Sequence, residues 1–220
     1  MKRTLGIVAA LTMSISLMAC SGGANNADEP KSGTDATQAE AEAPTLFPAG
    51  PFEFTTETGA KITFDLPSAA DDERIADIEK YRVDTNASPV TYVIANVDNR
   101  KGTDYAGLTN VSAFDKEGRK YEFTEVFKTI SDWQPYYSED HEYVMPDGSK
   151  VAEDVGTELY NRGIDIYNKF LKGPAPAEQG TVVLVSKDVD LPSEFTRVAV
   201  TAGEFGTPAG DATPAKKSNS

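Results

Sequence analysis

Two stretches of this chain are apolar at consecutive positions instead of alternate ones. In Val90-Thr91-Tyr92-Val93-Ile94-Ala95-Asn96-Val97 and in Gly180-Thr181-Val182-Val183-Leu184-Val185-Ser186, β-branched and aromatic residues crowd together. Such runs suit strands covered on both faces, so both are predicted at the centre of the fold. Around them the pattern has period two. Ile62, Phe64 and Leu66 alternate with Lys61, Thr63 and Asp65, and Pro67 ends that strand. Phe52 and Phe54 open the domain in the same way. Residues 108–114, 119–124 (Tyr121 and Phe123 on one face) and 195–201 give further strands. Asp98-Asn99-Arg100-Lys101-Gly102 and Asp115-Lys116-Glu117-Gly118 separate them with turn chemistry, the second turn ending in a glycine free to take positive φ. Strand, turn, strand, turn, strand predicts an antiparallel sheet.

The period changes elsewhere. Residues 68–80 predict a short helix or turn, capped by Ser68, with Asp71 and Asp72 in its first turn and Ile75 and Ile78 on one face. Residues 152–171 predict a longer helical insert. Val155, Leu159, Ile166 and Phe170 share a face there, with Tyr160, Ile164 and Tyr167 nearby, and Gly156 and Gly163 predict a break. Gly173-Pro174 and Pro176 end it. Residues 131–150 have no period. They read as an irregular loop carrying Trp133, Tyr136, Tyr137 and Tyr143, with Glu139, Asp140 and Glu142 around His141, the single histidine of the chain.

The N-terminus follows another logic. Lys2 and Arg3 precede an apolar run over residues 5–18, and the small Ala19 stands before Cys20. The run is shorter than the roughly 20 residues a spanning helix needs, and it reads as a secretory signal. Leu17-Met18-Ala19-Cys20 resembles the lipobox of bacterial lipoproteins. That resemblance implies a diacylglyceryl group on the Cys20 sulfur, cleavage after Ala19, and a place on the extracytoplasmic face of the cell membrane or envelope. Two acyl chains at roughly 0.8 kcal/mol per buried CH₂ anchor stably, where one chain is marginal. Residues 20–45 then form a polar tether, with no large apolar residue over 21–44, and residues 206–220 form a tail; both are expected to be disordered. A single domain over residues 46–205 remains. Cys20 is the only cysteine, so a lipidated Cys20 leaves the domain with no disulfide and no thiol chemistry.

The order of elements resembles an immunoglobulin-like β-sandwich family of unknown function found in lipoproteins of Gram-positive bacteria, actinobacteria especially. The resemblance is carried by Tyr92 to Gly102, in the pattern Y-V-x-x-x-V-x-N-x-x-G, by Asp115 to Tyr121 as D-x-x-G-x-x-Y, and by Thr181 to Pro192, a strand ahead of an L-P turn. It implies an immunoglobulin-like antiparallel β-sandwich, into which residues 152–172 are inserted, and an anchored extracytoplasmic module. It brings no reaction and no agreed ligand.

Charge and chemistry narrow the function. The formal net charge of −14 becomes −16 once Lys2 and Arg3 leave with the signal, a surface that repels nucleic acid and anionic headgroups. Among catalytic templates, a Ser-His-acid set would depend on His141 alone, and no Gly-x-Ser-x-Gly elbow is present. Glu139 to Glu142 are consecutive, so they cannot all point one way as metal ligands from a strand or helix. The expectation is therefore no enzyme, no metal and no cofactor. The candidate binding surface is the aromatic loop: Trp133, Tyr136, Tyr137, Tyr143 and His141. The alternative for those rings is packing in the core. The predicted role is a binding or interaction module at the cell envelope, facing a protein, a glycan or a small ligand. An accessory or chaperone-like subunit of an envelope complex is the second expectation, and an envelope hydrolase the third.

Overall fold

The alternation over residues 61–66 becomes alternate burial: Ile62, Phe64 and Leu66 are buried, Lys61 and Asp65 exposed. The structure is a computed structural model that describes residues 44–203 and 208–216. The predicted signal, Cys20 and the tether to residue 43 lie outside the described residues. In chain order come β1 (Phe47–Pro48), β2 (Gly50–Thr55), β3 (Lys61–Leu66), a 3₁₀ turn (Glu73–Ile75) running into α1 (Ala76–Asp84), β4 (Thr91–Asp98), β5 (Leu108–Phe114), β6 (Lys120–Glu125) and α2 (Val126–Trp133). Then follow β7 (Tyr136–Tyr137), β8 (Tyr143–Val144), β9 (Lys150–Val151), α3 (Glu153–Phe170), β10 (Gln179–Ser186), β11 (Glu194–Phe195), β12 (Arg197–Ala202), β13 (Gly210–Asp211) and β14 (Thr213–Pro214).

The described chain is mainly β, and every strand pairing is antiparallel, an arrangement consistent with a β-sandwich. Nine strands make one sheet in the order β13-β12-β5-β6-β10-β4-β3-β2-β14. The two outermost strands of that order are separated in sequence only by Ala212, which is buried and donates its N–H to Val198 O. The sheet therefore curls until its edges meet across one residue. Within it, β6 and β10 pair at only two positions, Glu125 with Leu184 and Thr124 with Val185. Inside the curl lies the first core, including Phe52, Phe64, Val93, Val111, Phe123, Leu184 and Val198.

Both doubly apolar stretches are central, for the reason their pattern gives. In β4, Val93, Ala95 and Val97 face the first core, while Tyr92 and Ile94 face a second. In β10, Leu184 points inward, and Val183 and Val185 point outward. Over that outer face lie three helices, contributing Ile78 and Tyr81 from α1, Val126, Ile130 and Trp133 from α2, and Leu159 and Ile166 from α3.

Several expectations need correction. The helical insert over 152–172 is not alone, because α1 and α2 join α3 in one layer. Ser68 does not cap a helix. Its Oγ donates to Asp65 O (3.0 Å) and accepts from Ile94 N (2.8 Å), tying the end of β3 to β4, and Asp72 caps the 3₁₀ turn instead. α3 is continuous through Gly156 and Gly163, because those glycines are its contact points. A Cβ at Gly156 would stand 2.2 Å from the Tyr143 ring, and one at Gly163 2.4 Å from the Tyr81 hydroxyl. The buried face of α3 is thus Gly156, Leu159, Gly163 and Ile166, and Val155, Tyr160 and Ile164 are exposed. Finally, the predicted disordered tail over 206–220 is ordered where it is described. β13 pairs with β12 and β14 with β2, both through backbone bonds that carry little sequence signature.

Candidate functional site

β7 and β8 form a short hairpin that places the predicted aromatic residues. Tyr137 is the direct cross-strand partner of Tyr143, and Tyr136 of Val144. Side chains alternate across a strand, so Tyr137 and Tyr143 share one side and Tyr136 takes the other. The Tyr137 and Tyr143 rings meet edge to face at 5.0 Å, and the His141 ring lies 6.0 Å from Tyr137. Tyr143 is half-buried. Its ring rests on Gly156 of α3, and its phenol oxygen accepts from the Thr157 hydroxyl at 3.3 Å. Tyr136 and Tyr137 are 59 % and 51 % exposed.

The connecting turn is held by its own backbone. Ser138 N donates to Glu142 O (2.8 Å), and His141 N donates to Ser138 O (3.1 Å) with His141 at φ +61°. Glu142 forms an ion pair with Lys150 on β9. That hydrogen bond, with the nearby charges of Glu142 and Asp140, holds the Lys150 ammonium above its ordinary range. The hairpin is therefore an ordered platform with exposed rings, rimmed by carboxylates. Among the described residues, no three His, Cys, Asp or Glu side chains gather as metal ligands would.

Trp133 does not belong to this platform. It closes α2, seven positions after Val126 and three after Ile130, so helical period carries it into the second core at 5 % exposure. Its remaining edge borders a separate hollow of about 390 Å³ with Asn86, Pro89, Asp132, Pro146 and Lys187. The signal was present in the sequence: Val126, Ile130 and Trp133 stand at i, i+4 and i+7. Beginning an aperiodic segment at Ser131 cuts that pattern in two.

The sequence patterns behind the family resemblance hold structural roles. Asn99 is fully buried, and its Nδ2 donates to Asp104 O (2.9 Å) and Pro174 O (3.1 Å). Its backbone N–H donates to Glu178 O, and its carbonyl accepts from Gly102 N and Ala177 N. Gly102 must be glycine here, since a Cβ would fall 1.7 Å from Asn99 Oδ1. Asp115 likewise organises its hairpin. Its carboxylate accepts from Glu117 N (3.0 Å), Arg119 N (2.8 Å) and the Tyr121 hydroxyl (3.1 Å).

One polar cluster is legible only in three dimensions. The buried Tyr92 hydroxyl donates to Glu79 Oε2 at 2.8 Å, while Arg82 donates to the same carboxylate and to Ala87 O. The Arg82 hydrogen bonds come first in holding the Glu79 carboxyl below its ordinary value, and Tyr92 adds to them against the opposing effect of burial. The Glu79–Arg82 spacing is visible in the sequence; Tyr92 arrives from another element. Compared with protein-family models, curated proteins and solved structures, the chain has no match.

Proposed function

We propose that this chain is a lipid-anchored binding module on the extracytoplasmic side of a bacterial envelope, and that the β7–β8 hairpin is its contact surface. The observation that carries the binding role is the exposure of Tyr136 and Tyr137 on a braced hairpin. Large aromatic side chains left in water on an ordered platform lose little conformational freedom when a partner covers them. The anchoring role rests on the lipobox-like residues ending at Cys20. The finer fold reading, an immunoglobulin-like sandwich, belongs to the same proposal. The antiparallel pairing and the curled sheet support it, while the layer of three helices lies beyond what the resemblance implies.

An accessory subunit is the second reading, favoured by the exposed Tyr160 and Ile164 on α3. Two measurements test the proposal. Cys20→Ser should move the protein from the membrane fraction to the exported soluble fraction, and mass spectrometry should find the diacylglyceryl group on wild type. Photocrosslinking from position 138 on intact cells should give discrete adducts that disappear in Tyr136→Ala/Tyr137→Ala. Unchanged adducts in that variant would remove the hairpin from the contact surface.

A further inference from the structure

We infer that the hairpin docks a cationic segment of a partner protein, with lysine or arginine side chains seated on its tyrosine rings; this rests on the reading of the hairpin as a contact surface. The first observation concerns the other rings of the molecule. Arg119 lies over Tyr121 at 4.7 Å, Lys169 over Phe170 at 5.3 Å, and Lys128 over Phe127, Arg162 over Tyr81 and Arg197 over Phe114 each at 5.7 Å. Those five rings are a minority, and among the described residues Tyr136 and Tyr137, the two most exposed tyrosines, have no such cation; nor does Tyr160, at 41 % exposure, and the ring beside Tyr137 is that of His141, at 6.0 Å. The electron-rich face of a tyrosine attracts an ammonium or guanidinium within about 6 Å of its centre.

The second observation is charge. Residues 134–160 hold seven carboxylates and one basic side chain, Lys150. Lys150 is already paired with Glu142, while Glu139 and Asp140, both exposed, are in no ion pair among the described residues. A cation over Tyr137 would find these two carboxylates on the same turn. A neutral sugar could stack on the rings and donate hydroxyls to the acids but would bring no charge to meet theirs, and an anionic bilayer would be repelled by them. Rings and acids together select a basic peptide. The braced geometry, with Tyr143 seated on Gly156, leaves little to be ordered on binding.

The test uses the full mature chain in detergent and calorimetric titration with an eight-residue alternating Arg-Ser peptide. The matched Gln-Ser peptide and chitotetraose serve as comparison probes. The Arg-Ser peptide should bind and the other two should not. Either Tyr136→Ala/Tyr137→Ala or Glu139→Gln/Asp140→Asn should weaken it about tenfold, the loss expected when an anchoring contact is truncated. Asp71→Asn/Glu73→Gln, which removes the same charge at exposed positions on the 3₁₀ side, should leave it unchanged. Equal losses in both charge variants, with none in the tyrosine variant, would reduce the effect to diffuse attraction and overturn the inference. So would absent Arg-Ser binding, or chitotetraose binding that needs the tyrosines. In those cases crosslinks lost on cells would still uphold the hairpin as a contact surface, whereas unchanged crosslinks would sink that reading separately.

Discussion

The turn around Asn99 and the hairpin around Tyr137 use similar means to opposite ends. At Asn99, backbone and side chain together bind five partners, and the residue is fully buried. At the hairpin, the backbone is equally well tied, but the rings of Tyr136 and Tyr137 are directed into water. Both regions look alike in sequence, as polar and aromatic residues between strands. Asn99 leaves only its buried Oδ1 without a partner, whereas the hairpin leaves two whole rings uncovered. The most distinctive sequence patterns of the chain therefore report how it folds, and the proposed contact surface carries a less distinctive one.

The contrast is broken or sharpened by substitution. The largest effect is expected at Asn99→Asp, which turns two donors toward buried carbonyls into acceptors. A loss of about 3 kcal/mol in urea unfolding follows from buried polar groups left unpaired. A loss under about 1 kcal/mol on that scale would demote the turn from hub to ordinary loop. Gly156→Ala comes next. Helix propensity alone predicts a gain of about 1 kcal/mol, but the 2.2 Å approach to the Tyr143 ring predicts a loss of about 2 kcal/mol by overpacking. A measured gain would mean that Tyr143 is not braced.

Glu79→Gln should cost about 1 kcal/mol at neutral pH, through the weakened Arg82 and Tyr92 hydrogen bonds. The Glu79 carboxyl is depressed in the fold, so its contribution is complete above its ordinary value of 4.5 and fades as pH falls through the lower folded value. Wild-type and variant stabilities should therefore converge below that pH; a gap that persists in acid would assign the effect to packing. The smallest effect is expected at Tyr137→Ala, within about 0.5 kcal/mol, as for exposed positions generally. A melting temperature that fell as far as for Asn99→Asp would erase the distinction between the two regions.

Much of the sheet was legible because burial on one or both faces writes a period into the residues. β5 occupies residues 108–114, the predicted range, and the two-faced runs of β4 and β10 match their place between two cores. The helical layer was less legible. α2 is only eight residues long, and Trp133 reads as a loop aromatic unless it is set in one helical period with Val126 and Ile130. Of the candidate site, Tyr137, Tyr143 and His141 do gather, as adjacency in the chain suggests, while Tyr136 takes the other side of the hairpin. Trp133 leaves them because helical twist turns it inward. β13 and β14 had no periodic signal at all, since two-residue strands are defined by partners distant in sequence.

Those two small strands set the order in which the protein can be completed. β14 lies against β2, so nearly the first and the last described residues must be present together before the curl can close. Until the last segment is present, the outer edge of β2, the one away from β3, stays unpaired, a template for joining neighbouring molecules. Pro51 within β2 and the charged pair Glu53–Lys61 beside it are the kinds of residues that discourage such joining while the last segment is awaited.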